Sequence, residues 1–576
     1  MTAPRRRMGP LSQSVARLCV ALQPQVGAAT GAGLREVLRR LDTPLQLAVA
    51  GRIKAGKSTL VNALIGRRVA PTDVGECTRL VTRFQYGTVD RIEVVMRDGR
   101  TVTIPFAPDG GIPQDLGGAS TDLDEVSHLE AYLTSGLLED ITVIDTPGLG
   151  SMDSASVGRT EALLGTPRGA TDGSDDADGS GPDGAGESAD GAVGDALTGS
   201  PDDDNAADEL DQTSRFAVAG AEAVVYVFTQ SVRSDDARVL AAFTAATASR
   251  DAGPVNALGV LNKADTVSVD SSAAAGAAES QGAATTSTSD TGTDATWNAA
   301  RRLAAGQAAV LRPRVADVLP MNGLLAETAE TGAFTAADAE ALRSLAEVDP
   351  GLRQAMLMAA DLFTSMDAPV DSPTRVRLLQ LLDLYGIRLA LELLTAEPTM
   401  SAGELRRRLL TRSGLEEFRR RLGEVFQLRA DGIKASAALA SLAALAAAST
   451  DVGERQRIND AIEMLLQRPE AHQLRLLEAL TMVSGGAVGM DDELTAEILR
   501  LGGSTRPDEQ LGMVGKPLEQ LQAVALDRAG WWRSFASFGA TPAQSRIAHV
   551  VHRAYFLMWQ QLKGRTPSGP PGLARP

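Results

Sequence analysis

The 576-residue sequence predicts an α/β domain with a mixed, mostly parallel sheet and helices on both faces, followed by an all-α neck and stalk. Three observations carry this. Between residues 45 and 325 short apolar runs alternate with helical stretches, the pattern of a parallel sheet covered by helices. Residues 91–106 break that alternation as two strands joined at Asp98-Gly99, an antiparallel hairpin signal. Beyond residue 332 the strand signals stop, and apolar residues recur at steps of three and four.

Taken in chain order, residues 11–23 and 33–41 are amphipathic helices without a partner of their own, expected to pack on the C-terminal helices. Strands follow at 45–50, 141–145, 223–228, 255–262 and 315–321, with a helix at 59–65. Ser372-Pro373 reads as a helix start, Ser capping free N–H groups and Pro tolerated in the first turn. Leu378, Leu382, Tyr385, Leu389 and Leu393 then share one stripe. Further amphipathic runs lie at 405–445, 458–466, 474–483, 494–501, 518–526 and 547–562. The expected division is 1–42 for helices packed on the neck and stalk, 43–332 for the α/β domain, 333–565 for the helical neck and stalk, and 566–576 for a disordered tail.

Composition narrows the class. Two cysteines, Cys19 and Cys77, are too few for a disulfide framework or a four-ligand zinc site, so a reducing compartment is expected. No continuous apolar segment follows the N-terminal arginines, so no signal peptide is assigned. Residues 435–450, a long uncharged and mostly apolar run, are alanine-rich and short of the roughly 20 residues of a spanning helix. The net charge of −17 is concentrated: residues 171–212 hold 14 acidic residues and no Lys or Arg, leaving −3 for everything else. That near-neutral remainder argues against a nucleic-acid partner. The acidic segment and residues 266–296 are poor in large apolar side chains and are expected to be disordered insertions, the first occupying roughly 155–212.

The first strand runs into Gly51-Arg52-Ile53-Lys54-Ala55-Gly56-Lys57-Ser58, followed by Thr59 and a helix. Glycines in such a loop let successive N–H groups face phosphates at the positive end of the helix, Lys57 reaches the β- and γ-phosphates, and Ser58 is placed to ligate Mg2+. The strand at 141–145 delivers Asp145 to its C-terminal end, where it can hold Mg2+ through water, and the Gly148 N–H can sense a γ-phosphate. Asn262-Lys263-Ala264-Asp265 follows a third strand; the Asp265 carboxylate can accept from guanine N1–H and the exocyclic amine, which adenine does not offer. These elements predict a P-loop GTPase domain using GTP and Mg2+. Between the first two lies a polar loop in which either Thr72 or Thr78 could close over the metal and γ-phosphate. Residues 320–323, with Asn322, read either as a base-contacting loop or as a plain strand-to-helix turn.

In this order, the motifs resemble those of dynamin-superfamily GTPases, and most of all the actinobacterial dynamin-like proteins related to the isoniazid-inducible GTPases. Residues 51–84 carry the closest match, the DTPG, NKAD and PMNGLLA segments agree in order, and residues 372–394 and 413–442 agree more loosely. The resemblance favours Thr78 as the switch threonine, since the family's precedes a basic residue. It implies GTP hydrolysis stimulated by assembly, a homodimer through the GTPase face, higher oligomers, a paralogous dynamin as partner, and peripheral contact with anionic membrane at the cytoplasmic face. Ile53 and Lys54 stand where eukaryotic dynamins carry a water-positioning Gln and a cation-binding Ser. Ile53 cannot orient water; Lys54 either supplies the charge of the missing cation or points to solvent. A slow GTP switch or assembly scaffold is the competing expectation.

Two further clusters have alternative readings. Arg406, Arg407, Arg408, Arg412, Arg419, Arg420, Arg421 and Arg429 either meet anionic lipid or pair with nearby glutamates on a solvated face. Trp531, Trp532, Trp559, Phe535, Phe538, Tyr555 and Phe556 are expected in a core against the N-terminal helices, with a membrane-anchoring tip as the alternative.

Overall fold

The computed structural model describes residues 8–52, 54–71, 80–113, 116, 125–146, 221–229, 256–267, 292–311, 314–427, 429–484, 486–502, 504 and 506–564. Among the described residues nine strands form one sheet: β1 (Leu45–Gly51), β2 (Thr82–Tyr86), β3 (Arg91–Met96), β4 (Thr101–Ile104), β5 (Val126–Leu133), β6 (Ile141–Asp145), β7 (Ala223–Phe228), β8 (Ala257–Leu261) and β9 (Val318–Pro320). Their order is β4-β3-β5-β2-β6-β1-β7-β8-β9. The half from β6 to β9 is parallel, while β3 pairs antiparallel with both β4 and β5. β6 and β7 are buried at every position, as expected for strands covered on both faces. The hairpin at Asp98-Gly99 forms as predicted, and β2 and β5 are additional strands that the sequence reading passed over.

The helices are α1 (Pro10–Leu22), α2 (Ala28–Asp42), α3 (Lys57–Ile65), α4 (Gly136–Asp140), α5 (Thr293–Leu311), α6 (Gly323–Glu330), α7 (Ala336–Ala346), α8 (Pro350–Met356), α9 (Ala360–Ser365), α10 (Ser372–Ala396), α11 (Ala402–Arg412) and α12 (Leu415–Leu422). Beyond them lie α13 (Ala430–Ala448), α14 (Val452–Leu466), α15 (His472–Ser484), α16 (Asp492–Gly502), α17 (Pro507–Gln510), α18 (Leu518–Phe538) and α19 (Pro542–Gly564). α5 starts inside the stretch expected to be disordered to residue 296, because Ala299, Ala300 and Leu303 bury against the sheet. At the start of α10 the cap position falls on Asp371 rather than Ser372. The acidic segment 171–212 lies outside the described residues.

Packing does not break at residue 332. Leu415, Phe418 and Leu422 of α12, with Val425, Phe426 and Ile433, join the core that contains β1, β6 and α3. Arg421 adds an ion pair to Asp317 ahead of β9 at 3.0 Å, and Arg419 pairs with Glu330 at the end of α6 at 2.8 Å. Much of the arginine cluster therefore knits helices together or pairs along one face, as Arg407 and Arg408 do with Glu404.

α1 and α2 pack on α13 and α14 through Leu11, Val15, Cys19, Leu34, Leu439, Leu442 and Ile458. α13 is long and apolar enough to cross a membrane, with mean hydropathy 1.3, yet its apolar face is spent inside this bundle. Its first turn binds both N-terminal helices. Asp431 accepts from the Leu11 and Ser12 amides at 3.0 and 2.9 Å, capping α1. The Lys434 ammonium donates to the Arg40 carbonyl at 2.7 Å and to that of Thr43, and lies 3.9 Å from buried Glu222 just before β7.

The last helices form a separate core in which Trp532 and Tyr555 are fully buried. The aromatics thus pack against α15, α16, α18 and α19, not against the N-terminal helices as expected. Glu497 of α16 accepts from Arg528 Nε at 2.8 Å, Trp532 Nε1 at 3.1 Å and the Tyr555 hydroxyl at 2.7 Å. Trp531 stays 40% exposed and Phe538, at the α18–α19 turn, 93% exposed. Residues 528–576 contain seven Lys or Arg and no Asp or Glu. Among the described residues Arg533, Arg546 and Arg553 make no ion pair.

Candidate nucleotide site

The C-terminal ends of β1, β6 and β8 converge at one edge of the sheet, where ligands bind in open α/β folds. β1 ends at Gly51, whose φ of +149° places the chain so close to β7 that a Cβ would meet the Val227 carbonyl at 2.2 Å. Gly56 precedes α3 at φ +89°, and a Cβ there would meet Asn262 Nδ2 at 2.2 Å. Only glycine serves at either position. Between them Lys54 adopts a left-handed φ of +63°, unusual for a residue with a Cβ, and is exposed.

Lys57 is buried, and its ammonium donates to the carbonyls of Gly51 and Arg52 at 3.1 Å each. Burial lowers its pKa while Asp145 opposes the shift. The Ser58 hydroxyl, one residue on, donates to Asp145 Oδ2 at 2.9 Å. The other carboxylate oxygen, Oδ1, is buried and has no hydrogen-bond partner among the described residues. Burial pushes the Asp145 carboxyl up to about 6, with Lys57 and Ser58 pulling the other way. Such an orphaned, desolvated oxygen beside a hydroxyl suits a small hard cation. Among the described residues no cluster of three His, Cys, Asp or Glu side chains could hold a metal, so a cation here would need ligand oxygens as well.

Asn262 ties the base loop to the phosphate loop. Its Nδ2 donates to the Ala55 carbonyl at 2.8 Å, and its Oδ1 accepts from the Gly323 amide at 2.9 Å. Lys263, at φ +53°, is exposed, and Asp265 follows in a short 3-10 turn, its carboxyl shifted up chiefly by burial. Asn322 is 3% exposed, and its side-chain oxygen caps α6 by accepting from the Leu325 amide at 3.0 Å. That oxygen thus serves the strand-to-helix turn.

The structure thus gathers Gly51, Arg52, Lys54, Ala55, Gly56, Lys57, Ser58, Thr59, Asp145, Asn262, Lys263 and Asp265 around one edge of the sheet. Ile53, Thr72, Thr78 and Gly148 lie outside the described residues. Sequence reasoning missed Asn62. This buried side chain accepts from the amides of Val69 and Ala70 and donates to Glu327 at 2.8 Å, bracing the segment that leads into residues 72–79. An isolated asparagine inside an apolar helix is the only sequence signal for it.

Residues 47–170 match the model of the dynamin family. The isoniazid-induced protein IniC of Mycobacterium tuberculosis is 29% identical over 531 residues, spanning 91% of this chain and 92% of its own. Residues 47–170 thus resemble the dynamin family, and the chain along most of its length is similar to a bacterial dynamin-like protein. A bacterial dynamin-like protein of Nostoc punctiforme is 31% identical over 132 residues, covering 21% of this dynamin-like chain and 18% of its own. A solved structure of an oligomerised bacterial dynamin pair aligns over 97% of the chain and 92% of its own at 11% identity, with a TM-score of 0.31.

Proposed function

We propose that this dynamin-like chain binds GTP with Mg2+, hydrolyses it, and couples nucleotide state to self-assembly and to contact with an anionic membrane surface at the cytoplasmic face. The observation that carries the nucleotide part is the Ser58–Asp145 pair with its orphaned oxygen beneath a glycine-pinned loop. In this reading the loop 51–58 and Thr59 cradle the phosphates, and Lys57 exchanges its carbonyl contacts for phosphate oxygens. Ser58, Asp145 and Thr78 would hold Mg2+, which when bound neutralises charge on the phosphate oxygens. The Gly148 amide reports on the γ-phosphate, and Asp265 selects guanine beside Lys263. Lys54, exposed on a left-handed backbone within the phosphate loop, offers a fixed cation to the site.

The membrane part draws support from the α18–α19 end: unpaired Arg533, Arg546 and Arg553 beside exposed Phe538, in a segment without an acidic residue. Each cation near an anionic surface contributes about 1 kcal/mol. A homodimer through the GTPase face, higher oligomers and a paralogous dynamin are the partners in this reading. The competing reading, a slow switch or scaffold, is favoured by Ile53, which cannot position water.

Phosphate release from GTP, measured over a range of protein concentrations with and without vesicles of anionic lipid, separates the two. A rate per molecule that climbs with concentration and again with vesicles supports assembly-coupled membrane work. A low, flat rate with intact nucleotide binding supports the switch.

A further inference from the structure

α10 contains a break that no glycine or interior proline explains. Asp383, in the middle of this 25-residue helix, has φ +53° and ψ 176°, a conformation costly for a residue with a Cβ. The polar groups at the break are provided for. The Leu384 amide donates to Asp383 Oδ1 at 2.6 Å, and the Leu381 carbonyl accepts from the fully buried Thr328 hydroxyl at 2.6 Å. A kink whose groups are satisfied from two elements is a built feature.

The break lies between the elements that flank the 262–265 turn. Leu381 and Leu382 pack with Leu325 of α6, the helix that starts beside the Gly323 amide held by Asn262. On the other side the Tyr385 hydroxyl donates to the Thr293 carbonyl at 3.5 Å, at the start of α5, and α5 packs on the turn carrying Asp265. Asp383 therefore sits between the two helices that flank the base loop, exposed, with Oδ1 engaged and Oδ2 without a partner among the described residues. Its negative charge reaches Asp265, adding to the upward shift that burial imposes on that carboxyl.

Guanine offers three N–H hydrogens on this edge, one on N1 and two on the exocyclic amine. A single carboxylate accepts one from each nitrogen, which leaves the second amine hydrogen over. We propose that Asp383 is a second base-reading carboxylate, accepting that remaining hydrogen; this rests on the guanine reading of Asp265. The two carboxylates repel each other until a base carrying donors comes between them, so the pair favours guanine over hypoxanthine, which lacks the amine.

The test uses the full chain and fluorescent GTP displaced by unlabelled GTP, ITP or ATP. Asp383→Gly keeps the left-handed backbone and removes the carboxylate. The GTP-over-ITP preference should fall about tenfold or more, as for loss of one hydrogen bond to a charged acceptor, with ITP affinity unchanged. An unchanged GTP-to-ITP ratio, or equal losses for both nucleotides, overturns the proposal. Asp265→Asn is measured alongside. If it leaves the GTP-to-ATP ratio intact, the guanine reading itself has failed and the Asp383 proposal falls with it; if that ratio collapses, the Asp383→Gly result decides alone.

Discussion

Two buried carboxylates, one in the C-terminal helical core and one in the sheet, have contrary surroundings. Glu497 in the C-terminal core receives donors from Arg528, Trp532 and Tyr555, and these hold its carboxyl below the usual range against the penalty of burial. Asp145 at the sheet edge receives one hydroxyl, keeps an orphaned oxygen, and is pushed up to about 6. The first is a finished polar network that fixes packing. The second is unsatisfied among the described residues, at the convergence of three strand ends, and in the proposed reading a phosphate-bound cation would supply its partners.

The contrast can be broken in order of expected size. Glu497→Ala leaves the fully buried Trp532 Nε1–H and Tyr555 hydroxyl without their acceptor, and should cost about 3 kcal/mol in urea unfolding while leaving GTP affinity unchanged. Lys57→Ala should do the reverse. Losing two charge-assisted contacts to phosphate lowers GTP affinity roughly a hundredfold, read by fluorescent-nucleotide titration, with the unfolding midpoint unmoved. Asp145→Asn sharpens the comparison further. It removes a desolvated charge, so the nucleotide-free protein should gain about 1 kcal/mol of stability in thermal unfolding even as the Mg2+ dependence of GTP binding disappears. A loss of stability there would mean that Asp145 is structural, like Glu497. The smallest effect concerns Glu130 on β5, whose carboxyl is held down to about 2 by His128 first and by Tyr132. Because its folded value lies below its ordinary one, its contribution is present above about pH 4.5 and is lost as pH falls toward 2. Glu130→Gln should flatten acid unfolding over that window.

The phosphate loop, Asp145 and the base loop were legible because each joins a strand end to residue types whose chemistry has few alternatives. The strands β6 and β7 were legible because burial on both faces demands unbroken apolar runs. β5 was not, since Ser127, His128 and Glu130 interrupt it and its partners β2 and β3 are far off in sequence. The allegiance of α12 was equally hidden: Leu415, Phe418 and Leu422 make the same stripe whether they face a stalk or a sheet. Asp383 was invisible for a related reason. The stripe from Leu378 to Leu393 runs straight through it, and a strained φ leaves no trace in hydrophobic periodicity.

The first turn of α13 bears on motion. Asp431 and Lys434 sit within about 6 Å of each other along one helix axis, yet they grip the leading end of α1 and the trailing end of α2, with Glu222 at the root of β7 beside them. The N-terminal helix pair and the root of β7 thus share one anchor, and any movement of that pair against the sheet would have to carry this turn with it, together with the apolar packing of Leu11, Val15 and Leu34 on the same bundle.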